Sequence, residues 1–388
     1  KCRIVPMSLS SKPRMIWFDA NRVFAAIGVV LIHSTTDFSG TVFPQATPDQ
    51  RLVPVIGRAL GEFSGSEMFF TFSLFLLAYK IDRRNLTWGS TVSEQARRLL
   101  VPFAFWAVFY AFFRLVKAHG FGYEQAIFDQ LGQWQTWAGY MLLGNSQYHL
   151  HFLPTLFLLV LFFPVMRLGQ RFPIFALILI PCLGVMHEVQ DSLWGLPVSD
   201  LTRDMLIRGV KVMGYVGYGF AAFALYGLWK DGIPRGESRL LRRGALFFVA
   251  LAFLATLPHF AAALTSGTWG GRQGWAFWGH FLMPLAVFTV FLGSQFADWS
   301  PRWSRLARYT FGIYLMHPMV IDLFDVAVHA SGLQMTPGLL VAARFGLVLP
   351  ITFGLSVALS RLPALAWTIG LGPLPGEAQA PRRALAQA

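Results

Sequence analysis

Cysteine is almost missing from this chain: two residues among 388, Cys2 and Cys182. One stands in the N-terminal segment and the other inside an apolar run, which argues against a disulfide framework and a cysteine metal site. Charge is scarce too. Asp, Glu, Lys and Arg make up 13% of the residues, where a soluble domain carries about 25%. That shortage excludes a disordered chain and an ordinary soluble enzyme. Acid is the scarcer sign, 19 Asp and Glu against 32 Lys and Arg, for a net charge of +13. A basic balance points to nucleic acid only as a continuous face. Here the basic residues sit in clusters between apolar runs, so no nucleic-acid partner is expected. An internal repeat, a nucleotide-binding glycine loop and a separate soluble domain are all missing from the pattern.

Apolar residues are what the chain has: 55% of it, 37 of them Phe, with a mean hydropathy of +0.51. A membrane-spanning helix needs about 20 mostly apolar residues. Ten runs qualify, near 17–36, 56–79, 99–117, 150–167, 172–187, 209–229, 244–265, 274–296, 309–328 and 339–360. They are long and do not alternate, which selects helix over strand. With the N-terminus placed in the cytoplasm, 22 of the 32 basic residues fall in cytoplasmic segments and 9 outside, alternating loop by loop. The expectation is an all-α polytopic membrane protein, a bundle of about ten transmembrane helices with both termini cytoplasmic. Residues 1–16 form a cytoplasmic segment, 17–360 the membrane domain and 361–388 a disordered tail. The outer loops at 118–148 and 188–208 are long enough to lie on the membrane surface and cover a substrate.

Ionisable groups inside a bilayer cost a few kcal/mol each (about 2.5–3.5 on insertion scales), so they are functional candidates by default. The first run carries Asp19, Arg22 and His33. Arg22 and His33 are eleven residues apart, about 20° from whole helical turns, so they share a face and stand about 16 Å apart along the axis. Asp19 lies one turn before Arg22 on the same stripe. A cation at the inner edge and an imidazole at mid-depth suit a ligand with phosphates at one end and a flexible arm, the shape of a coenzyme A thioester. The imidazole suits general-base work or brief carriage of an acyl group. The alternative is a packing histidine and a snorkelling arginine. Glu67 is expected to hold a proton, or to pair with Arg58 or with a neighbouring helix. His149 and His151, two apart, would diverge by about 160° on a helix, which disfavours a shared metal. Pro318 is expected to kink its helix after His317. Asp322 and Asp325 lie toward the outer end of that helix, where carboxylates can bind sugar hydroxyls.

These residues resemble the acyltransferase-3 family of polytopic membrane acyltransferases. The family's Arg or Lys, ten residues, then His is matched by Arg22 and His33, after an acidic Asp19. Its second-helix motif is matched by Phe69-Phe70-Thr71-Phe72-Ser73-Leu74, with Leu74 where Gly is usual. Arg83, Arg84, Arg97 and Arg98 correspond to its basic segment. His149-Leu150-His151-Phe152-Leu153 resembles its His-Leu-Trp-Phe-Leu, and Thr310 to Pro318 its late motif, with Tyr314 and His317.

The resemblance implies transfer of an acyl group, commonly acetyl from cytoplasmic acetyl-CoA, to a hydroxyl of a surface or lipid-linked saccharide. The enzyme would sit in a bacterial inner membrane and use no metal. His33, Arg22 and Asp19 would be the catalytic group. Arg83, Arg84, Arg97 and Arg98 would hold the CoA phosphates, or else only enforce topology. Glu67, His149, His151, Tyr314, His317 and Asp322 would face the acceptor. A transporter of a saccharide or small solute is the rival reading.

Overall fold

The computed structural model describes residues 14–376, and these form helices with no strand among them. In chain order the α-helices are α1 (Ile16–Ser34), α2 (Pro48–Gly61), α3 (Ser66–Arg84), α4 (Trp88–Phe121), α5 (Glu124–Leu131), α6 (Trp134–Leu143), α7 (Phe152–Leu161) and α8 (Phe163–Arg171). They continue with α9 (Leu179–Leu193), α10 (Asp200–Asp231), α11 (Arg235–Ser266), α12 (Trp275–Gly293), α13 (Arg302–Ala307), α14 (Thr310–Ser331) and α15 (Pro337–Ser360). Eight are long and apolar enough to cross a membrane, α9 among them with the 3-10 turn before it. The run expected at 150–167 is a ninth candidate but breaks into α7 and α8, bent by 69°. Pro164 lies in the first turn of α8; its ring removes the N–H that Val160 would need and crowds that carbonyl. A count of ten requires α3, which is 19 residues long, about 28 Å against a hydrocarbon core of about 30 Å. Its charges, Glu67 at one end and Lys80, Asp82, Arg83 and Arg84 at the other, leave an apolar middle.

The run expected at 56–79 is not one helix. Residues up to Gly61 finish α2, a 3-10 turn follows at Glu62–Ser64, and α3 starts at Ser66. The turn presses against α1 because two glycines let it. A Cβ on Gly28 would stand 1.5 Å from Ser64 Oγ, and one on Gly61 would stand 2.6 Å from Ile32 Cγ1. Within lipid, close packing rather than the hydrophobic effect holds helix to helix, so small residues mark the tight contacts. This contact brings Arg58 and Glu62 alongside the last turn of α1. Elsewhere the core is aromatic, with Trp17, Phe18, Phe75 and Phe288 in mutual ring contact.

At one end of the bundle Asp19 accepts hydrogen bonds from Arg14 Nε (2.9 Å) and Ser304 Oγ (2.6 Å), tying α1 to α13. Residues 361–376, expected in a disordered tail, return to this same end and pack. A 3-10 turn at Ala366–Ile369 buries Ala366, Thr368 and Ile369. Trp106 Nε1 of α4 donates to Thr368 O at 2.9 Å, giving a buried indole the acceptor it needs. The expectations for residues 1–13 and 377–388 lie outside the described residues. Pro318 does not end its helix: α14 runs through it.

Candidate active site

His33 stands in the last turn of α1. Its ring lies 4.4 Å from that of Tyr148 and stacks on His317 at 5.2 Å between centroids. His317 is wholly buried, and its orientation follows from Pro318. Proline has no N–H, so Tyr314 O, four residues back, loses its helical donor. His317 Nδ1 donates to that carbonyl at 2.8 Å and to Ile313 O at 3.2 Å. A carbonyl only accepts, so a proton is on Nδ1, and Nε2 has no hydrogen-bond partner.

His33 forms part of the wall of two adjoining spaces. The inner one, a chamber of about 190 Å³, is lined by His33, Glu67, His149, His151, Tyr314 and their neighbours. The outer one is a vestibule of about 520 Å³, walled by polar groups including Lys117, Gln147, Asp322 and Arg344. The two share His33, Arg58, Tyr148 and Arg272. Of the residues expected to face an acceptor, Glu67, His149, His151 and Tyr314 meet in the chamber and Asp322 in the vestibule. His317 lines neither; it backs His33 instead.

Several expectations change in detail. His149 and His151 do not diverge, because residues 144–151 form turns rather than helix. His151 is the cap residue of α7 and its Nδ1 meets Tyr148 O at 2.7 Å. Tyr314 donates its hydroxyl to His149 O, joining α14 to this turn. Glu67 is not paired with Arg58. It is buried, Ser66 Oγ donates to its Oε1 at 3.3 Å, and Oε2 has no partner. Asp325, expected to meet sugar hydroxyls, is held by the wholly buried Arg344 at 2.7 Å. Arg344 also donates to Thr36 O, fixing the loop that follows α1. Asp322 accepts from Lys117 Nζ (2.9 Å) and Gln147 Nε2 (3.1 Å).

Glu62 is the largest feature that sequence reasoning missed. It is buried, and its Oε1 accepts from Arg58 Nε (3.1 Å) and from Arg272 Nη2, while Oε2 meets His280 Nδ1 at 3.0 Å. The i,i+4 spacing of Arg58 and Glu62 is legible in sequence. Arg272 and His280 come from more than 200 residues away, and no local pattern announces them.

At the basic end, a cavity of about 660 Å³ is lined by Lys80, Glu94, Arg97 and Arg98 together with Phe311, Trp367 and Gly370. Of the four arginines expected to bind phosphate, Arg97 and Arg98 line it and Arg83 and Arg84 do not. Arg83 donates to Tyr79 OH (2.7 Å) and Arg84 pairs with Glu94 (3.6 Å). A smaller space of about 130 Å³ shares Lys80, Gln95 and Leu99 with it and reaches inward to Ser73 and Val160. Between that point and the chamber stand the rings of Phe69, Phe152 and Tyr314, with centroids 5.7–5.8 Å apart. Arg22 lines neither the basic cavity nor the chamber. Its Nη2 donates to Thr310 Oγ1 at 3.3 Å and it lies 3.7 Å from Asp19.

A many-helix membrane protein with a buried imidazole chamber between two polar cavities is an architecture suited to carrying a group from one side to the other. A family model described as an acyltransferase domain matches residues 15–361, and the chain belongs to this acyltransferase-3 family of membrane acyltransferases. No curated protein and no solved structure matches it.

Proposed function

We propose that this membrane acyltransferase moves an acetyl group from cytoplasmic acetyl-CoA to a hydroxyl of a surface or lipid-linked saccharide, across a bacterial inner membrane. The basic end faces the cytoplasm in this reading, in keeping with the bias of Lys and Arg toward that side. The observation that carries it is His33: an imidazole in the shared wall of a small chamber and a polar vestibule, on the opposite side of an aromatic partition from an arginine-lined cavity.

The basic cavity takes the CoA phosphates, with Arg97 and Arg98 offering forked donors and Lys80 a point charge. The thioester passes the Phe69–Phe152–Tyr314 partition, whose rings must move to admit it. His33 accepts the proton of the acceptor hydroxyl. The oxygen attacks the thioester carbonyl carbon, the C–S bond breaks, and the proton passes from His33 to the departing sulfur, which leaves as the CoA thiol. Alternatively His33 takes the acetyl group first and hands it on. In both routes Arg22 and Asp19 act at a distance, by holding α1 in register with α13 and α14 through Thr310 and Ser304.

His33→Ala is expected to lower acyl transfer from labelled acetyl-CoA by about 10²–10⁴-fold, the span of general-base catalysis, with unchanged elution in detergent. Full transfer by that variant removes the scheme. Labelled acetyl trapped on His33 selects the two-step route. Solute movement without acyl turnover selects the transport reading.

A further inference from the structure

The vestibule wall carries more positive than negative fixed charge, Arg58, Arg114, Lys117, Arg272 and Arg344 against Asp37, Asp322 and Asp325, and Arg58 and Arg272 stand where it meets the chamber beside His33. Arg58 and Arg272 are both guanidiniums, each roughly a fifth exposed, and they share one carboxylate, Glu62. Both stand in the wall of the chamber and of the vestibule. Glu62 is itself buried and is bonded on both oxygens, so it fixes the two forks without using all their donors. Arg272 Nε is buried with no partner, and Arg58 reaches Ile32 O, next to His33, at a weak 3.4 Å. An unmatched donor in such a place is costly unless something supplies the acceptor. The other carboxylates do not supply it: Glu67 lines the chamber too, but its Oε1 is met by Ser66 Oγ and its Oε2 has no hydrogen-bond partner. Asp322 and Asp325 are engaged by Lys117 and Arg344. Asp37 is consumed in its own turn, accepting from the backbone N–H groups of Ser39 and Thr41 and from the Thr41 hydroxyl. Arg58 also lies over the ring of Trp269 at 5.3 Å, which gives the pocket an apolar plate beside the cations.

From this arrangement we propose that Arg58 and Arg272 form an anion site for the acceptor, and that the acceptor is an acidic sugar, one bearing a carboxylate or a phosphate. The acid enters from the vestibule, is held by the two guanidiniums over Glu62, and leaves a hydroxyl of the same ring facing His33. Trp269, under Arg58, forms an apolar wall of the site. The inference rests on the acyltransferase reading for its purpose, and on the charge arrangement alone for the binding.

The test is binding by saturation-transfer NMR to the purified full chain in nanodiscs, with glucose, glucuronate and glucose 1-phosphate as probes. Glucuronate or glucose 1-phosphate is expected to bind at least about tenfold more tightly than glucose, a difference of about 1.4 kcal/mol, and the tighter of the two names the acidic group. Arg272→Gln should bring the acidic probe down to the level of glucose, and Arg272→Lys, which keeps the charge but loses the fork, should fall between. Equal binding of glucose and both acidic probes by the unaltered protein overturns the proposal without recourse to any variant. His33→Ala separates the two readings. If that variant still transfers acetyl while Arg272→Gln has lost glucuronate, the mechanism fails and the anion site stands. If it loses transfer while the probes bind alike, the reverse holds.

Discussion

At the scale of the residue, Glu62 shows why a buried charge is tolerable. Two guanidiniums and an imidazole satisfy its oxygens, so removing the charge strands the partners rather than relieving them. Breaking a buried ion pair on one side costs about 3–5 kcal/mol. Glu62→Gln is therefore expected to lower the midpoint of thermal unfolding in detergent, and fluorescence-detected unfolding against the unaltered chain measures it. No loss of stability would mean that the arginines find water. His33 and Arg22 were both legible from spacing, and they differ in outcome. His33 reaches a cavity. Arg22 is spent on Thr310 and Asp19, because the inner edge where it sits is filled by α13 and the start of α14. Spacing along one helix reports which face a residue occupies, not what fills the space opposite.

At the scale of the element, α14 turns a proline into a positioning device. Pro318 frees Tyr314 O, His317 Nδ1 takes it, and the His317 ring stacks on His33. Pro318→Ala restores a backbone donor that competes for Tyr314 O and loosens the His317 ring. The expected result is a several-fold lower rate of acyl transfer with a thermal midpoint that does not fall, since alanine favours helix over proline by about 3 kcal/mol. An unchanged rate would deny His317 a positioning role. The sequence places the proline inside the helix; that His317, one residue earlier, takes the carbonyl it frees is seen only in the structure. The segment 144–151 is the converse case. Read as helix, it sends His149 and His151 apart; folded as turns, it brings both into the chamber.

At the scale of the whole molecule, the two sides are distinguishable by labelling. In a background without native cysteine (Cys2→Ser and Cys182→Ser), Ser90→Cys lies by the basic cavity and Ser39→Cys in the vestibule. A membrane-impermeant maleimide is expected to reach the Ser39 position in intact cells and the Ser90 position only after the membrane is opened. Labelling of both from one side would break the pass count, and with it the placing of the donor and acceptor cavities on opposite faces.

The sequence by itself determined the class of molecule. Apolar runs long enough to span a bilayer, with basic residues gathered between alternate runs, leave helices as the only way to satisfy the backbone in lipid. It also determined that His33 would be unusual, because an ionisable group in such a run is costly wherever it points. Only the tertiary structure decided what His33 faces. The chamber is made by Glu62, Arg58, Arg272, His280, His149 and Tyr314, drawn from four separate parts of the chain, and contacts between segments so far apart leave no periodic trace. The same holds for the return of residues 361–376 onto Trp106: a proline- and glycine-rich stretch reads as unpaired backbone until a partner from another helix supplies its hydrogen bond.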